Sequence, residues 1–147
     1  MKNYPVKRDS GFSMIEVLVA VLILAIGLLG VAAIQTTALK NNNSALQRSE
    51  ATMLAYFMMD AMRANRSVAI IGSYDLAKTC VAPSTGSLIT NDQNAWITAL
   101  KNNLGNVSTT CGQITCAVNT CNVKVYWDDS RGLSGNTEQF VEITSRL

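Results

Sequence analysis

The chain has 147 residues with 12 basic and 10 acidic side chains, and its net charge is +2. It contains no histidine, which is the commonest general base, and it has no Gly-rich phosphate loop of the Walker or dinucleotide type. We therefore expect no catalytic residues, no cofactor and no metal. The small net charge gives no support to a nucleic-acid-binding domain, so no nucleic acid is expected as a partner.

A basic leader precedes a long apolar run. Residues 1–10 carry three bases against one acid, and residues 17–34 contain neither a charge nor a proline. As a helix, this run spans roughly 27 Å, close to the thickness of a bilayer's hydrocarbon core. The alternative is a cleaved signal peptide, whose apolar region is usually shorter, at about 7–15 residues. The longer run favours a retained membrane helix in contact with lipid.

The distribution of basic residues predicts the orientation of this helix. Lys7 and Arg8 precede the span, and the first base after it is Lys40. The positive-inside rule then places the N-terminus in the cytoplasm and the rest of the chain outside. Without residues 1–11 the chain has nine bases and nine acids, so the positive charge belongs to the leader.

The junction of leader and apolar run reads Gly-Phe-Ser-Met-Ile-Glu over residues 11–16, followed by Val-Leu-Val-Ala-Val-Leu-Ile-Leu. This sequence resembles the class III signal of type IV pilins and type II secretion pseudopilins. The resemblance implies cleavage by a prepilin peptidase after Gly11 and N-methylation of the new first residue, Phe12. It also implies that Glu16 guides subunit docking.

Glu16 has two interpretations from position alone. It is either an interfacial glutamate that reaches the headgroups or a functional acid, because a carboxylate in the hydrocarbon region is costly to leave unpaired. Cleavage after Gly11 would free an ammonium at Phe12, one helical turn away. Glu16 could then pair with the ammonium of its own chain or of a neighbour.

Three further segments resemble the PilV-type minor pilins, namely residues 26–30, 54–66 and 123–129. The resemblance implies a minor pilin that primes assembly of a type IV pilus from the bacterial inner membrane and enters the fibre after processing. Its partners would be other minor pilins, the major pilin and the inner-membrane assembly platform. Two alternatives stay open: a minor pseudopilin of a type II secretion system, and a membrane-anchored binding head such as an adhesin or DNA-uptake receptor.

Beyond the membrane span, helix-forming residues continue without Gly or Pro from 35 to 66. We predict one helix over residues 12–65, divided into an assembly segment (12–34) and an outer half (35–66). A dense apolar stripe is expected to contribute to the core of a head formed by residues 67–147. Its members are Leu54, Phe57, Met58, Ala61 and Met62.

Two kinds of pattern in residues 67–147 predict an α+β, pilin-like head with a small antiparallel sheet. Residues 92–105 predict a short helix with Asp92 or a neighbouring Asn as its N-cap and Gly105 after its end. Residues 122–127 alternate as a strand, residues 128–132 have turn chemistry, and residues 139–144 offer a return strand. Two or three strands are expected in all.

All four cysteines lie in the head: Cys80, Cys111, Cys116 and Cys121. An even number of cysteines in an oxidising compartment suggests disulfides, which would support a thin core. Four cysteines allow three pairings, and the sequence does not choose among them. A bridge within the last three is favoured if they lie on a hairpin, and our preferred pairing is Cys80–Cys111 with Cys116–Cys121. A zinc site fits the spacing poorly.

Overall fold

The computed structural model describes residues 11–147, so the first ten residues of the predicted leader (1–11) lie outside the described residues. The described chain is α+β, as predicted from the sequence. Its elements in chain order are α1 (Met14–Ala64), α2 (Arg66–Ala69), β1 (Leu76–Thr79), α3 (Leu88–Leu104), β2 (Cys111–Ala117), β3 (Thr120–Trp127) and β4 (Gln139–Arg146).

The long helix α1 contains 51 residues and lies within one residue or two of the predicted limits at each end. By compactness the chain divides into a first unit that ends at Ala38 and a second unit over Leu39–Leu147. Every side chain over residues 11–38 is exposed. The finer boundaries at residues 34 and 66 stay predictions.

In the second unit, one face of α1 is buried, and it differs from the predicted stripe in one respect. Leu54, Met58 and Met62 are buried as expected and Ala61 is partly buried, but Phe57 is 52% exposed. The buried face instead includes Ala51, Ala55 and Met59. Spacings of three and four residues occur in two overlapping series along this segment, and Phe57 belongs to the series on the solvent side.

Four antiparallel strands form one sheet in the order β1-β2-β3-β4, so the predicted number of strands was too low. The predicted strands correspond to β3 and β4, with Val123, Val125 and Trp127 buried. The strands β1 and β2 were missed. The hairpin between β2 and β3 turns at Val118 and Asn119, which both have positive φ values, as a two-residue type I′ turn requires.

The short helix α3 begins earlier than the sequence predicted. Its N-cap is Ser87 and neither Asp92 nor a neighbouring Asn, because Ser87 and Thr90 form a reciprocal capping box. Its end is as predicted, since Leu104 is the last helical residue and Gly105 follows with a φ of 105°.

The core of the second unit lies between the helices and the sheet. Trp96, Ile97 and Leu100 from α3 are fully buried against the methionines of α1 and the valines of β3. The Trp96 indole Nε1 donates a 2.9 Å hydrogen bond to the Leu54 carbonyl oxygen, so α3 is tied to α1 by a polar contact within an apolar core.

Candidate processing and docking site

The predicted cleavage site lies directly before α1. Gly11, Phe12 and Ser13 are non-helical and exposed, and the Phe12 side chain is 84% exposed. Among the described residues other than its chain neighbours, no atom lies within 4 Å of the position that a Cβ on Gly11 would occupy. A peptidase needs an accessible, non-helical backbone, and the Gly11–Phe12 bond offers both.

Glu16 lies in the first turn of α1. Its backbone N–H donates to the Ser13 carbonyl oxygen at 3.0 Å, and the N–H of Val17 donates to the same oxygen at 3.3 Å. These two bonds begin the helix, and they place the Glu16 carboxylate near the positive end of the helix dipole. Sequence reasoning gave Ser13 no role, although a serine directly before an apolar helix is a typical start signal.

The first half of α1 presents apolar side chains on all sides. Large hydrophobic residues from Phe12 to Ile34 are exposed by at least half of their surface, as for Val19 at 50% and Leu29 at 72%. Among the described residues, α1 is the helix long and apolar enough to cross a membrane. A helix that is apolar all round needs lipid or other helices around it.

Phe12 lies two residues before α1 and Glu16 lies in its first turn, so the predicted first residue and the acid are four residues apart in the chain. The structure holds both on the same short segment, next to the apolar band. The basic residues predicted to orient the span, Lys7 and Arg8, lie outside the described residues. Cleavage, methylation and docking at these positions stay predictions.

The four cysteines of the head form two disulfides, Cys80–Cys111 and Cys116–Cys121. These are the pairs that we preferred among the three possible pairings. The first joins the end of β1 to β2 across 31 residues of chain. The second links directly opposite residues of the β2–β3 hairpin. Among residues 11–147, no group of His, Cys, Asp and Glu side chains could hold a metal ion.

The outer face of the sheet pairs its two lysines with acids. Lys78 contacts Glu138, and the Lys124 ammonium lies 3.1 Å from the Glu142 carboxylate. A hydrogen bond from Asn122 and then the Lys124 pair lower the pKa of Glu142 below its ordinary value. Opposite charges therefore alternate on this face, and the lysines do not form a uniformly basic patch.

Residues 6–32 match the prokaryotic N-terminal methylation motif, which includes the Gly11–Phe12 bond, Glu16 and most of the apolar band. The match supports a type IV pilin-like protein that is processed by a prepilin peptidase and assembles with other pilins. The motif and the long apolar helix together fit a membrane-anchored pilin. No curated protein and no solved structure matches the chain.

Proposed function

We propose that this chain is a minor pilin of the PilV type, which takes part in priming assembly of a type IV pilus. The observation that carries the proposal is the methylation motif, placed where an exposed Gly11–Phe12 bond precedes an apolar helix with Glu16 in its first turn. Residues 54–66 and 123–129 add the resemblance to the PilV type. In this role the protein is a substrate of the processing enzyme and is itself not an enzyme.

The proposed sequence of events follows from the charge and apolarity of each segment. The basic leader keeps the N-terminus in the cytoplasm, so that the head folds in the periplasm and its cysteines are oxidised there. The peptidase cuts between Gly11 and Phe12, and Phe12 is methylated. The processed helix then leaves the inner membrane sideways and packs against helices of other subunits, with lipid replaced by neighbouring apolar side chains.

Glu16 supplies the positional signal for docking in this scheme. Its carboxylate would pair with the N-terminal ammonium of a neighbouring subunit, and each charge would be costly to bury without the other. A subunit out of register by one helical turn would leave both charges unpaired. The pair therefore selects one longitudinal position for each incoming helix.

Replacement of Glu16 by alanine tests this role. We expect Glu16→Ala to be cut and methylated normally, but its incorporation into sheared pili should fall more than about tenfold. The reason is that loss of one member of a buried ion pair costs about 3–5 kcal/mol. Intact-mass spectrometry of the membrane-extracted chain measures processing, and immunoblots of sheared pili against membranes measure incorporation.

Glu50→Ala is the matched control, since Glu50 lies on the same helix but beyond the apolar band. It should be processed and incorporated like the unchanged protein. Normal incorporation of Glu16→Ala would contradict the docking role. A chain that still begins at Met1 in cells with an active prepilin peptidase would contradict the pilin pathway itself.

Two cell-level readouts separate the proposed role from its alternatives. Deletion of the gene should reduce piliation and twitching while protein secretion stays normal. Loss of secretion with normal twitching would identify a pseudopilin of a type II secretion system. Normal piliation and secretion with loss of adhesion or DNA uptake would identify an independent binding head.

A further inference from the structure

A cavity of about 240 Å³ lies where the outer half of α1 passes the end of β3 and the start of β4. All of its lining residues belong to the second unit of the chain. A space of this size admits a small organic ligand, since the share of one water molecule in the liquid is about 30 Å³. The lining residues are Ser44, Ala45, Arg48, Trp127, Asp129 and Gln139.

The cavity is bordered by a buried hydrogen-bond donor that lacks an acceptor. Trp127 is 2% exposed, and among residues 11–147 no atom accepts a hydrogen bond from its indole Nε1. The other buried tryptophan differs, since the Trp96 Nε1 donates to the Leu54 carbonyl oxygen. A buried donor without an acceptor costs about 1–3 kcal/mol. The Trp127 indole therefore favours a ligand that brings an acceptor oxygen into the adjoining cavity.

Two side chains of opposite charge line the same cavity without pairing. Among residues 11–147, neither Arg48 nor Asp129 has an oppositely charged partner within 4.0 Å. The Asp129 Oδ1 atom accepts a 2.7 Å hydrogen bond from the Ser44 hydroxyl, which holds this carboxylate against α1. Its Oδ2 atom accepts none within the described chain and keeps its capacity for a ligand donor. The Arg48 guanidinium is a planar fork of N–H donors, which suits a carboxylate.

These two charges define the kind of ligand that fits the cavity. A simple anion at Arg48 would also face the Asp129 carboxylate, and a simple cation at Asp129 would also face the Arg48 guanidinium. A molecule with both charges satisfies both side chains through charge-assisted hydrogen bonds, which are the strong ones. Small size and two opposite charges together describe a free α-amino acid.

We propose that this cavity binds a small free α-amino acid as its zwitterion. The ligand carboxylate accepts hydrogen bonds from the Trp127 indole and the Arg48 guanidinium, and the ligand ammonium donates to the Asp129 carboxylate. The proposal goes beyond the minor-pilin role, which concerns the processing site and the membrane helix, and it does not depend on that role. The head then carries a small-molecule site in addition to its part in assembly.

Nuclear magnetic resonance of the unchanged full-length protein in detergent tests the site. The chain has two tryptophans, so its spectrum contains two indole N–H signals, which Trp127→Phe assigns. Glycine should shift the Trp127 signal saturably, with a Kd of about 1 mM or below, because the indole gains an acceptor. The Trp96 signal should stay in place, since Trp96 does not line the cavity. A Trp127 signal that does not move, or moves without saturation, up to about 50 mM glycine would overturn the proposal.

Two smaller probes test the need for both charges. Acetate carries only the carboxylate and methylammonium only the cation, so each should bind at least about tenfold more weakly than glycine. Acetate that binds as tightly as glycine would show that Asp129 contributes nothing. Methylammonium that binds as tightly as glycine would show the same for Arg48 and Trp127. Either result would overturn the assignment of a zwitterion.

Substitutions at the two charged residues test their roles. Arg48→Gln and Asp129→Asn each remove one charge and keep a polar side chain, so each should weaken glycine binding at least about tenfold. Arg131→Gln is the matched control, because Arg131 lies on the same loop as Asp129 but does not line this cavity. It should bind glycine like the unchanged protein.

The Trp96 signal in its original position shows that each variant is folded, because this indole is buried in the core. Folded Arg48→Gln or Asp129→Asn protein that binds glycine within about twofold of the unchanged protein would contradict the proposed site. Weakening in Arg131→Gln equal to that in Arg48→Gln would also contradict it, since general loss of positive charge would then explain both.

Discussion

At the scale of single residues, Tyr74 is the polar centre of the head. Its hydroxyl donates a 2.7 Å hydrogen bond to the Asp92 carboxylate and accepts a 3.3 Å hydrogen bond from the Asn65 amide. Its carbonyl oxygen accepts from the Gln93 amide at 3.0 Å. One fully buried side chain therefore links the end of α1 to α3, and burial is the largest cause that raises its pKa above 10.0.

The raised pKa of Tyr74 predicts a pH dependence of stability. A group whose pKa is higher in the folded state contributes stability below its unfolded pKa, near 10.0, and loses it as the pH rises through the folded pKa. The free energy of unfolding should therefore decline above about pH 10. Tyr74→Phe should cost about 1–3 kcal/mol at pH 7 through the lost hydrogen bonds and should make the alkaline decline shallower.

Urea unfolding of the full chain in a mild detergent, from about pH 7 to about pH 11, measures both effects, because the window spans the ordinary tyrosine pKa. Tyr56→Phe is the control, because Tyr56 is 49% exposed and makes none of these hydrogen bonds. It should keep the neutral-pH stability and the alkaline slope of the unchanged protein. An alkaline slope that is the same in Tyr74→Phe and Tyr56→Phe would contradict the assignment to Tyr74.

At the scale of elements, β2 and α3 meet at a glycine. A Cβ on Gly112 would lie 2.5 Å from Cζ3 of Trp96 and 2.8 Å from Cδ1 of Ile97, so the strand backbone passes directly under the buried indole. Gly112→Ala should therefore destabilise the head by about 1–3 kcal/mol, since Trp96 is rigid and the core has no space for an added methyl group. The loss of native tryptophan fluorescence in urea measures this change.

The matched control for this substitution is Gly86→Ala. A Cβ on Gly86 meets no atom of residues 11–147 within 4 Å apart from its chain neighbours, and its backbone requires no positive φ. Its effect on stability should stay within about 0.5 kcal/mol. If Gly112→Ala unfolds at the same urea concentration as Gly86→Ala, the result would contradict the prediction that β2 passes too close to Trp96 to accept a Cβ.

The same glycine shows why some elements could be predicted from the sequence and others could not. Strand β3 has a clean alternation, and α1 has a long run without breakers, so both were predicted by local pattern. Strand β2 has Gly112 as its second residue, and β1 has only four residues, so neither has a strong local signal. Strand β1 forms because it pairs with β2, which is distant in sequence, and β2 forms because it pairs with both β1 and the adjacent β3.

At the scale of the whole molecule, the candidate site depends on a much shorter stretch of sequence than the fold of the head does. Gly11, Phe12 and Glu16 lie within six residues, and their spacing along one helix start is sufficient to predict the site. Two overlapping apolar series run along α1, and contacts with the sheet and α3 determine which of them is buried. The sequence pattern alone does not contain this information, and for that reason Phe57 was wrongly predicted to be buried. Local chemistry thus defined the N-terminal site, whereas packing over long sequence distances defined the head.

The two disulfides should contribute unequally to the stability of the head. Cys80–Cys111 closes 31 residues, but Cys116–Cys121 closes only five within a hairpin that already pairs. Loop-closure entropy predicts losses of about 4 kcal/mol and about 2 kcal/mol when each pair is replaced by alanines. The physical reason is that the longer loop restricts the unfolded chain more.

Guanidinium unfolding of the two double-alanine variants, followed by tryptophan fluorescence, measures this order. Trp96 and Trp127 are both buried in the head, so their emission reports unfolding of that unit and not of the membrane segment. Each variant serves as the control for the other, because both lose one bridge and two sulfur atoms. A larger loss from the Cys116–Cys121 variant would show that packing at the hairpin outweighs chain entropy, and the entropic ranking would then be wrong.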